Sequence, residues 1–513
     1  MRISRLALGV SLATLALPAA AQTAETTSST DVAEAPTMTL RQALTTAYNT
    51  NPDLASERAS LRATDENVPI QRASGLPSVN SSGGYTENIY NNPAGSGPVR
   101  QVTAGVDVSV PVFQGGAVRN SVRAAETRVE AGRAGLRSVE TDLFTQVVTV
   151  YVNVIRDEAI VRLNQQNVHV LEVNLQATRD RFEVGDLTRT DVAQSEARLA
   201  IARSQLRGAE AQLIASREAF IRVVGVPPGR LAPPPALPHL PGNAAEAVSI
   251  ALEESPVMLA AKRSREATKY DVQVAKAGRF PRVSVGVGTN YYNYLGSVDR
   301  IAAISGYNND GVAVSGGVTL TVPLFQGGRP AAQVRQAEAR ESIAVEQETL
   351  AERTVVSQAR SAYAQYSSSL RVIESSKVAV DANRLSLEGV RAENSVGSRT
   401  ILDILNAEQE FLNSQVQYVT AERDSYVAGF TLLAIMGRAE AVDLGLDGGP
   451  LYDPTQHYDK VRRRWTDWGT GEEPAPSGTR TVDTPVQTPD VSETSDPLLQ
   501  RPVDTTPYDP SGE

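Results

Sequence analysis

The chain contains itself twice. Val110-Pro111-Val112-Phe113-Gln114-Gly115-Gly116 returns as Val322-Pro323-Leu324-Phe325-Gln326-Gly327-Gly328, 212 residues later. Tyr151 and Tyr363, Val184-Gly185 and Val396-Gly397, Asp191 and Asp403, and Glu196 and Glu408 keep that spacing. Upstream, Asn51-Pro52 matches Ser255-Pro256 and Leu76-Pro77 matches Phe280-Pro281, now 204 apart. The two registers differ by eight residues, so the second copy carries a loop eight residues longer between Pro281 and Val322. A repeat this long is not a solenoid unit. It predicts a duplicated half-domain with the same architecture in each half.

The ends of the chain say where it goes. Met1-Arg2-Ile3-Ser4-Arg5 precedes an apolar run from Leu6 to Leu17 and then Pro18-Ala19-Ala20-Ala21-Gln22. This reads as a secretory signal over 1–21, cleaved after Ala21. The run is short for a membrane anchor, the other reading, and small and polar residues follow it at once. No cysteine occurs, so an exported chain of this kind is held by packing or oligomerisation rather than disulfides, and no cysteine follows the signal to carry a lipid. The formal charge of −10 becomes −12 once Arg2 and Arg5 leave with the signal, which argues against nucleic-acid partners. No later stretch approaches eighteen uninterrupted apolar residues, so any membrane insertion must use strands.

Residues 22–38 form a Thr/Ser/Ala/Glu-rich flexible lead. A first repeat, 39–224, reads as a helix to about Ser74, strands at 78–90 and 101–113, a helix from Ala117 to Phe182, a break at Gly185, and a helix from Thr190 to Val224. Asn91 to Pro98 is the turn between its strands. The proline-rich stretch 225–243 is a linker. The second repeat, 244–438, gives helix 244–278, strands 282–294 and 311–325, helix 330–395, a break at Gly397 and helix 400–437. Residues 439–513 are rich in Pro, Thr, Asp and Gly and read as a disordered tail.

The strands alternate. Val102, Ala104, Val106, Val108, Val110 and Val112 share one face, with Thr103, Gly105, Asp107 and Ser109 on the other. Val312, Val314, Val318, Leu320, Val322 and Leu324 repeat the pattern against Ser315, Gly317, Thr319 and Thr321. Tyr85, Tyr90, Tyr291, Tyr292 and Tyr294 lie near the loop ends. Such strands suit an outer-membrane barrel wall; a soluble sandwich with one wet face is the other reading. Four strands cannot close a barrel, and lipid forbids an open edge, so several chains must pool their strands. The helices carry heptads. Val192, Leu199, Leu206, Leu213 and Phe220 alternate with Ser195, Ala202, Ala209, Ser216 and Val223, and Ile404, Phe411, Tyr418, Ser425 and Leu432 with Ala407, Ser414, Ala421, Ala428 and Ile435. These large/small seams predict left-handed coiled coils. Each long helix spans roughly 100 Å. The shorter helices before the strands and after the tips then meet at mid-height, with lead, linker and tail gathered there as a belt.

The doubled Val-Pro-(Val/Leu)-Phe-Gln-Gly-Gly and the tip turns Arg181 to Val192 and Val396 to Leu405 resemble those of the TolC-type outer-membrane efflux family, over about residues 40–438. The resemblance implies a mixed α+β membrane protein: an internally duplicated protomer giving four strands to a trimeric, twelve-stranded outer-membrane β-barrel and coiled-coil helices to a periplasmic α-helical barrel. It implies a homotrimeric exit channel of a tripartite efflux or type I secretion system. Its partners would be a periplasmic adaptor, an inner-membrane RND or ABC pump, and outer-membrane lipid. A structural coiled-coil or adhesin stalk is the competing class, and continuous aliphatic strand faces disfavour it.

By position, the resemblance makes Asp403 a constriction aspartate and Arg399 the tip arginine, with Asp191 and Thr190 as its acceptor side. Asn174 stands where the family has a glutamine, Asn406 where a second aspartate is common, and Asn394 where a gating tyrosine is found. Three Asp403 carboxylates converging on an axis would repel, and cations would relieve that. Thr188-x-x-Asp191 and Thr400-x-x-Asp403 are also capping-box patterns, a role that can coexist with a gate. Gly185 and Gly397, with Val184 and Val396, mark tip turns that need positive φ and that an adaptor could approach closely. The Gln-Gly-Gly turns are read as tight strand-to-helix turns and not anion cradles. His169, His239 and His457 are scattered, and no nucleophile elbow, metal spacing or nucleotide loop occurs. No enzyme activity and no cofactor is expected.

Overall fold

The computed structural model describes residues 37–89, 99–238, 240–297, 308–446, 451–469, 471 and 475–491. The signal, most of the lead and the Asn91 to Pro98 turn with Tyr90 lie outside the described residues. The first repeat runs α1 (Leu40–Thr50), α2 (Pro52–Asp65), α3 (Asn67–Ala73), β1 (Ser78–Glu87), β2 (Arg100–Phe113), α4 (Ala117–Glu183) and α5 (Arg189–Val224). The second runs α6 (Ala244–Glu254), α7 (Pro256–Ala277), β3 (Arg282–Asn293), β4 (Asp310–Thr321), α8 (Arg329–Ser395) and α9 (Ile401–Ile435). A short α10 (Gln456–Val461) follows. No helix among the described residues is long and apolar enough to cross a membrane.

Two stretches read as single helices are broken at matching positions, and the first is broken again at Glu66. Asn51 and Ser255 each precede a proline, and each is held out of the helical region, with ψ of 127° and 124°. The ring of the following proline disfavours helix at the residue before it, while proline itself suits the first helical position. These are the Asn51-Pro52 and Ser255-Pro256 pairs of the repeat. Each break is where a helix returning from the tip arrives. Thr50 Oγ1 and Asn51 Nδ2 donate to the carbonyls of Val224 and Val223, at the end of α5, at 3.1 and 3.0 Å. Arg438, just past α9, donates from Nε and Nη2 to the Glu254 carboxylate at 2.8 and 2.9 Å.

The four strands form one antiparallel sheet in the order β1-β2-β3-β4. Directly opposed residues share a face, so the register tests the alternation. Val79 faces Val108, Val108 faces Val287, and Val285 faces Val318. On the opposite face Asn80 meets Asp107, Asp107 meets Gly288, and Gly288 meets Ser315. One side is therefore mainly aliphatic on β2, β3 and β4, with Val79 and Tyr85 added by β1, and the other small and polar. The aliphatic side is open, with Val314 74% and Val318 69% exposed. The strands take up none of the second copy's extra length, since β1 and β2 have 10 and 14 residues and β3 and β4 have 12 each. Val322 to Phe325, read as strand, falls outside β4, which is an edge with no partner on that side.

The heptad seams pack as read. Leu199, Leu213 and Phe220 are buried on α5 with Ser195, Ala202 and Ser216, and Phe411, Tyr418 and Leu432 on α9 with Ser414, Ala421 and Ala428. The largest core lies at mid-height, around Phe144, Tyr151, Phe220 and Phe430. There the repeated tyrosines do the same work in both halves. Tyr151 donates to the carbonyls of Ala232 (2.6 Å) and Met38 (3.0 Å), fastening linker and lead together. Tyr363 donates to Gly242 O at 2.8 Å, fastening the linker's far end.

The expectation of a disordered tail is corrected for the described part of 439–513. Ala439, Ala441, Leu446 and Val461 are buried. Tyr452 N–H donates to the Tyr48 hydroxyl at 3.1 Å, His457 Nδ1 lies 3.2 Å from the buried Asp65 carboxylate, and Arg217 donates to the carbonyls of Thr488 and Asp490. Low complexity hid a belt strap. A few apolar anchors and backbone carbonyls suffice to order it against an existing wall.

Candidate functional site at the helix tips

Both long helices end in the same device. Gly185 and Gly397 take φ of 83° and 79°, a left-handed conformation that closes the last helical turn. Asp186 N–H donates to Arg181 O and Ser398 N–H to Glu393 O, each at 2.9 Å, satisfying carbonyls the helix leaves free. No heavy atom lies within 4 Å of where a Cβ would stand on either glycine. Val184 and Val396 beside them are exposed, as are Phe182 and Leu402.

Both return helices start from a complete capping box. Asp191 N–H donates to Thr188 Oγ1 (3.3 Å), and Thr188 N–H and Oγ1 donate to Asp191 Oδ2 at 2.9 and 2.7 Å. Asp403 and Thr400 repeat this at 3.3, 3.0 and 2.8 Å. Those bonds hold both carboxyls below the ordinary aspartate range. Both aspartates are thus charged caps within their own chain.

The turns differ in charge order. In the first, Arg181 on the outgoing helix pairs with Asp186 in the turn, Nε to Oδ2 at 2.7 Å. In the second, Glu393 holds the helix position and Arg399 the turn, also at 2.7 Å. Asn394 Nδ2 then donates to Arg399 O at 2.7 Å. Thr190 is exposed, and the Asn174 amide nitrogen is buried without a hydrogen-bond partner among the described residues. Asn406 is not isolated: its Oδ1 accepts from Arg198 Nη2 at 2.7 Å, joining the two return helices.

A further pair lies one step above each tip. Arg179 Nη2 reaches Glu196 Oε1 at 2.6 Å, and Arg391 bonds Glu408 in the other half. Glu196 is 51% exposed and Glu408 only 1%. The difference follows from position, because α9 packs against both α8 and α4, whereas α5 packs chiefly on α4 and leaves its other side open. The glutamates had marked the repeat; their arginines recur at the same spacing and were the signal to read. Among the described residues no cluster of three or more His, Asp or Glu could hold a metal.

Known proteins resemble the chain in sequence and in fold. The model for the outer membrane efflux protein family matches residues 43–226 and 247–438. The outer membrane efflux protein BepC of Brucella suis is 33% identical over 83% of this chain and 91% of its own length. The outer membrane protein TolC of Vibrio cholerae is 25% identical over 78% of this chain and 90% of its own. The crystal structure of CusC, 18% identical, superposes with a TM-score of 0.68 over 78% of this chain and 92% of that one, a likeness of fold. With both repeats matched and the shared fold in hand, the chain belongs to the outer membrane efflux protein family, proteins of the outer membrane that extend into the periplasm.

Proposed function

We propose that three copies of this chain close into a twelve-stranded barrel continued by a helical tunnel, a gated exit duct for an efflux or type I secretion system. The observation that carries this is the open sheet. In lipid the edges of β1 and β4 would leave N–H and C=O groups unpaired, so β4 of one copy must pair with β1 of the next. The packing of α9 on α4 within one chain is the pattern for α5 against α8 of the neighbour. Leu385 on α8, 70% exposed, and Glu196 on α5 await such a contact. At the mouth, Asp403, Arg399, Asp191 and Thr190, with Asn174, Asn394 and Asn406, form the gate. Gly185, Gly397, Val184 and Val396 meet a periplasmic adaptor that couples the duct to an inner-membrane RND or ABC pump.

The chain has no cysteine, so engineered pairs give clean crosslinks. Cysteines scanned along β1 (around Ser81) and β4 (around Ser315) yield, on oxidation in membranes, a ladder that stops at three chains, and the protein conducts in planar bilayers. A ladder stopping at two, or one without end, rejects the trimer; trimers that never conduct reject the duct.

A further inference from the structure

The only two tryptophans of the chain are three residues apart, follow three consecutive arginines and are almost bare: Trp465 is 78% exposed and Trp468 92%. The stretch is Arg462-Arg463-Arg464-Trp465-Thr466-Asp467-Trp468, basic in a chain of net charge −10. Nothing in the duct or its gate uses it.

Its height in the molecule is fixed by its contacts. Arg72, in the last turn of α3, donates from Nη1 to Arg462 O at 3.3 Å. Two residues on, Ser74 O accepts from Gln114 Nε2 at 3.1 Å, at the junction where β2 becomes α4. Tyr458 packs beside Val68, Ala125 and Val129, the last two within the first four turns of α4, and lies under the Arg133 and Arg462 guanidiniums at 5.1 and 5.6 Å. That junction carries Phe113 with Phe280 beside Gly115, each about half exposed, and the matching junction after β4 carries the exposed Phe325, aromatic side chains of the kind that mark where a barrel wall leaves the lipid. The Arg-Trp segment therefore stands one long side chain below the periplasmic edge of the barrel. Arg462 is engaged by Asp459 at 3.3 Å, and Arg464 donates to Gly469 O at 2.8 Å, closing residues 464–469 into a loop on which both indoles are exposed.

We infer that this loop is a second membrane contact, in which Trp465 and Trp468 enter the headgroup layer of the inner leaflet of the outer membrane and Arg463 and Arg464 meet its anionic phospholipids. Tryptophan is the residue that gains most at that boundary, with an apolar body and one N–H to satisfy, and arginine beside it adds attraction to phosphate. The strap of which the loop is part grips α2 through His457 and Asp65, so lipid contact and belt are one continuous piece.

Because the chain has no other tryptophan, its tryptophan fluorescence, excited at the red edge where the tyrosines do not absorb, reports this loop alone. The full-length protein is reconstituted in vesicles of phosphatidylethanolamine with phosphatidylglycerol, and emission is quenched either by a spin label high on the lipid acyl chain or by acrylamide in the water. The expected result is strong quenching from the lipid and protection from acrylamide. Both weaken when phosphatidylcholine replaces phosphatidylglycerol, and again in Arg463→Ser/Arg464→Ser, where the docked-to-free ratio falls about fivefold per arginine. Trp465→Phe and Trp468→Phe assign the signal to each ring. Full acrylamide quenching without lipid quenching overturns the inference. So does protection from acrylamide without quenching from the lipid, which would mean another copy of the chain covers the loop, and so does protection that appears only on adding purified peptidoglycan.

Discussion

Arg198 on α5 and Asn406 on α9 hold the two return helices together near the tip, 2.7 Å apart and 208 residues distant in sequence. The family resemblance leads to the expectation of an aspartate at 406, and here a neutral amide accepts from a cation. The contact is half-strength by design of its chemistry, since a charged acceptor would bind the guanidinium about twice as well.

Replacing Arg198 by Ala therefore loosens the mouth, and Asn406→Asp tightens it. Planar-bilayer conductance rises in the first and falls in the second. The underlying changes are about 0.5–1.5 kcal/mol per chain for the lost hydrogen bond and ~0.2–1 kcal/mol for the gained exposed pair. Equal conductance in all three proteins removes this contact from the gate.

Arg399→Ala combined with Asp191→Ala raises conductance if the two meet across chains. Within one chain each has a separate partner, Glu393 and Thr188, so local fraying is the rival cause. Thr400→Ala removes a cap and leaves both gate charges in place. Conductance that rises as much in Thr400→Ala as in the double variant assigns these residues to capping alone.

Glu408 and Glu196 repeat one another but differ in burial. Glu408→Ala removes the buried half of the Arg391 pair, and urea unfolding shows a loss of about 1.5–3 kcal/mol. Glu196→Ala costs about 0–1 kcal/mol in a dissociated chain. Its cost rises in the assembled protein, because a neighbouring α8 would cover it.

Burial raises the Glu140 carboxyl above its ordinary value of 4.5, even though Ala441 N–H donates to it at 2.7 Å. Asp65 and Asp142 are raised for the same first reason. A folded pKa above the unfolded one means that the folded chain holds more protons between the two values. Stability then falls as pH rises through that interval and is greatest below it. Glu140→Gln keeps an acceptor for Ala441, removes its share of that slope while Asp65 and Asp142 keep theirs, and makes melting temperature fall less steeply with pH above about 4.5. An unchanged slope assigns it to other groups.

Tyr151→Phe removes the hydroxyl's bonds to the Ala232 and Met38 carbonyls, the second of which still accepts from Ala232 N–H, with a cost of about 0.5–1.5 kcal/mol. Faster proteolysis within 225–243 reports it. Tyr363→Phe, on a more exposed bond, gives a smaller effect.

Element type and order were legible because long periodic segments leave little choice: a 67-residue amphipathic run between a Gly-Gly turn and a glycine cap is a helix wherever it sits. The breaks at Asn51-Pro52 and Ser255-Pro256 were also in view, but the prolines were read as repeat markers and not as helix starts. The strap after 438 was hidden for another reason. Its composition is that of a disordered chain, and its order comes from partners far away in sequence, Tyr48, Asp65 and Arg217, which no local pattern reveals. At the tips the capping aspartates could be read from four-residue spacing. Arg198 and Asn406 could not, because nothing in either neighbourhood points to the other.

The duplicated turns have one further consequence. Their backbones superimpose in kind, yet Arg181 facing Asp186 in one becomes Glu393 facing Arg399 in the other. A ring of identical grasping subunits would find that every second handhold is wired backwards. Whatever clasps this end of the molecule must either ignore charge and hold the bare backbone and valines, or bring two kinds of fingertip.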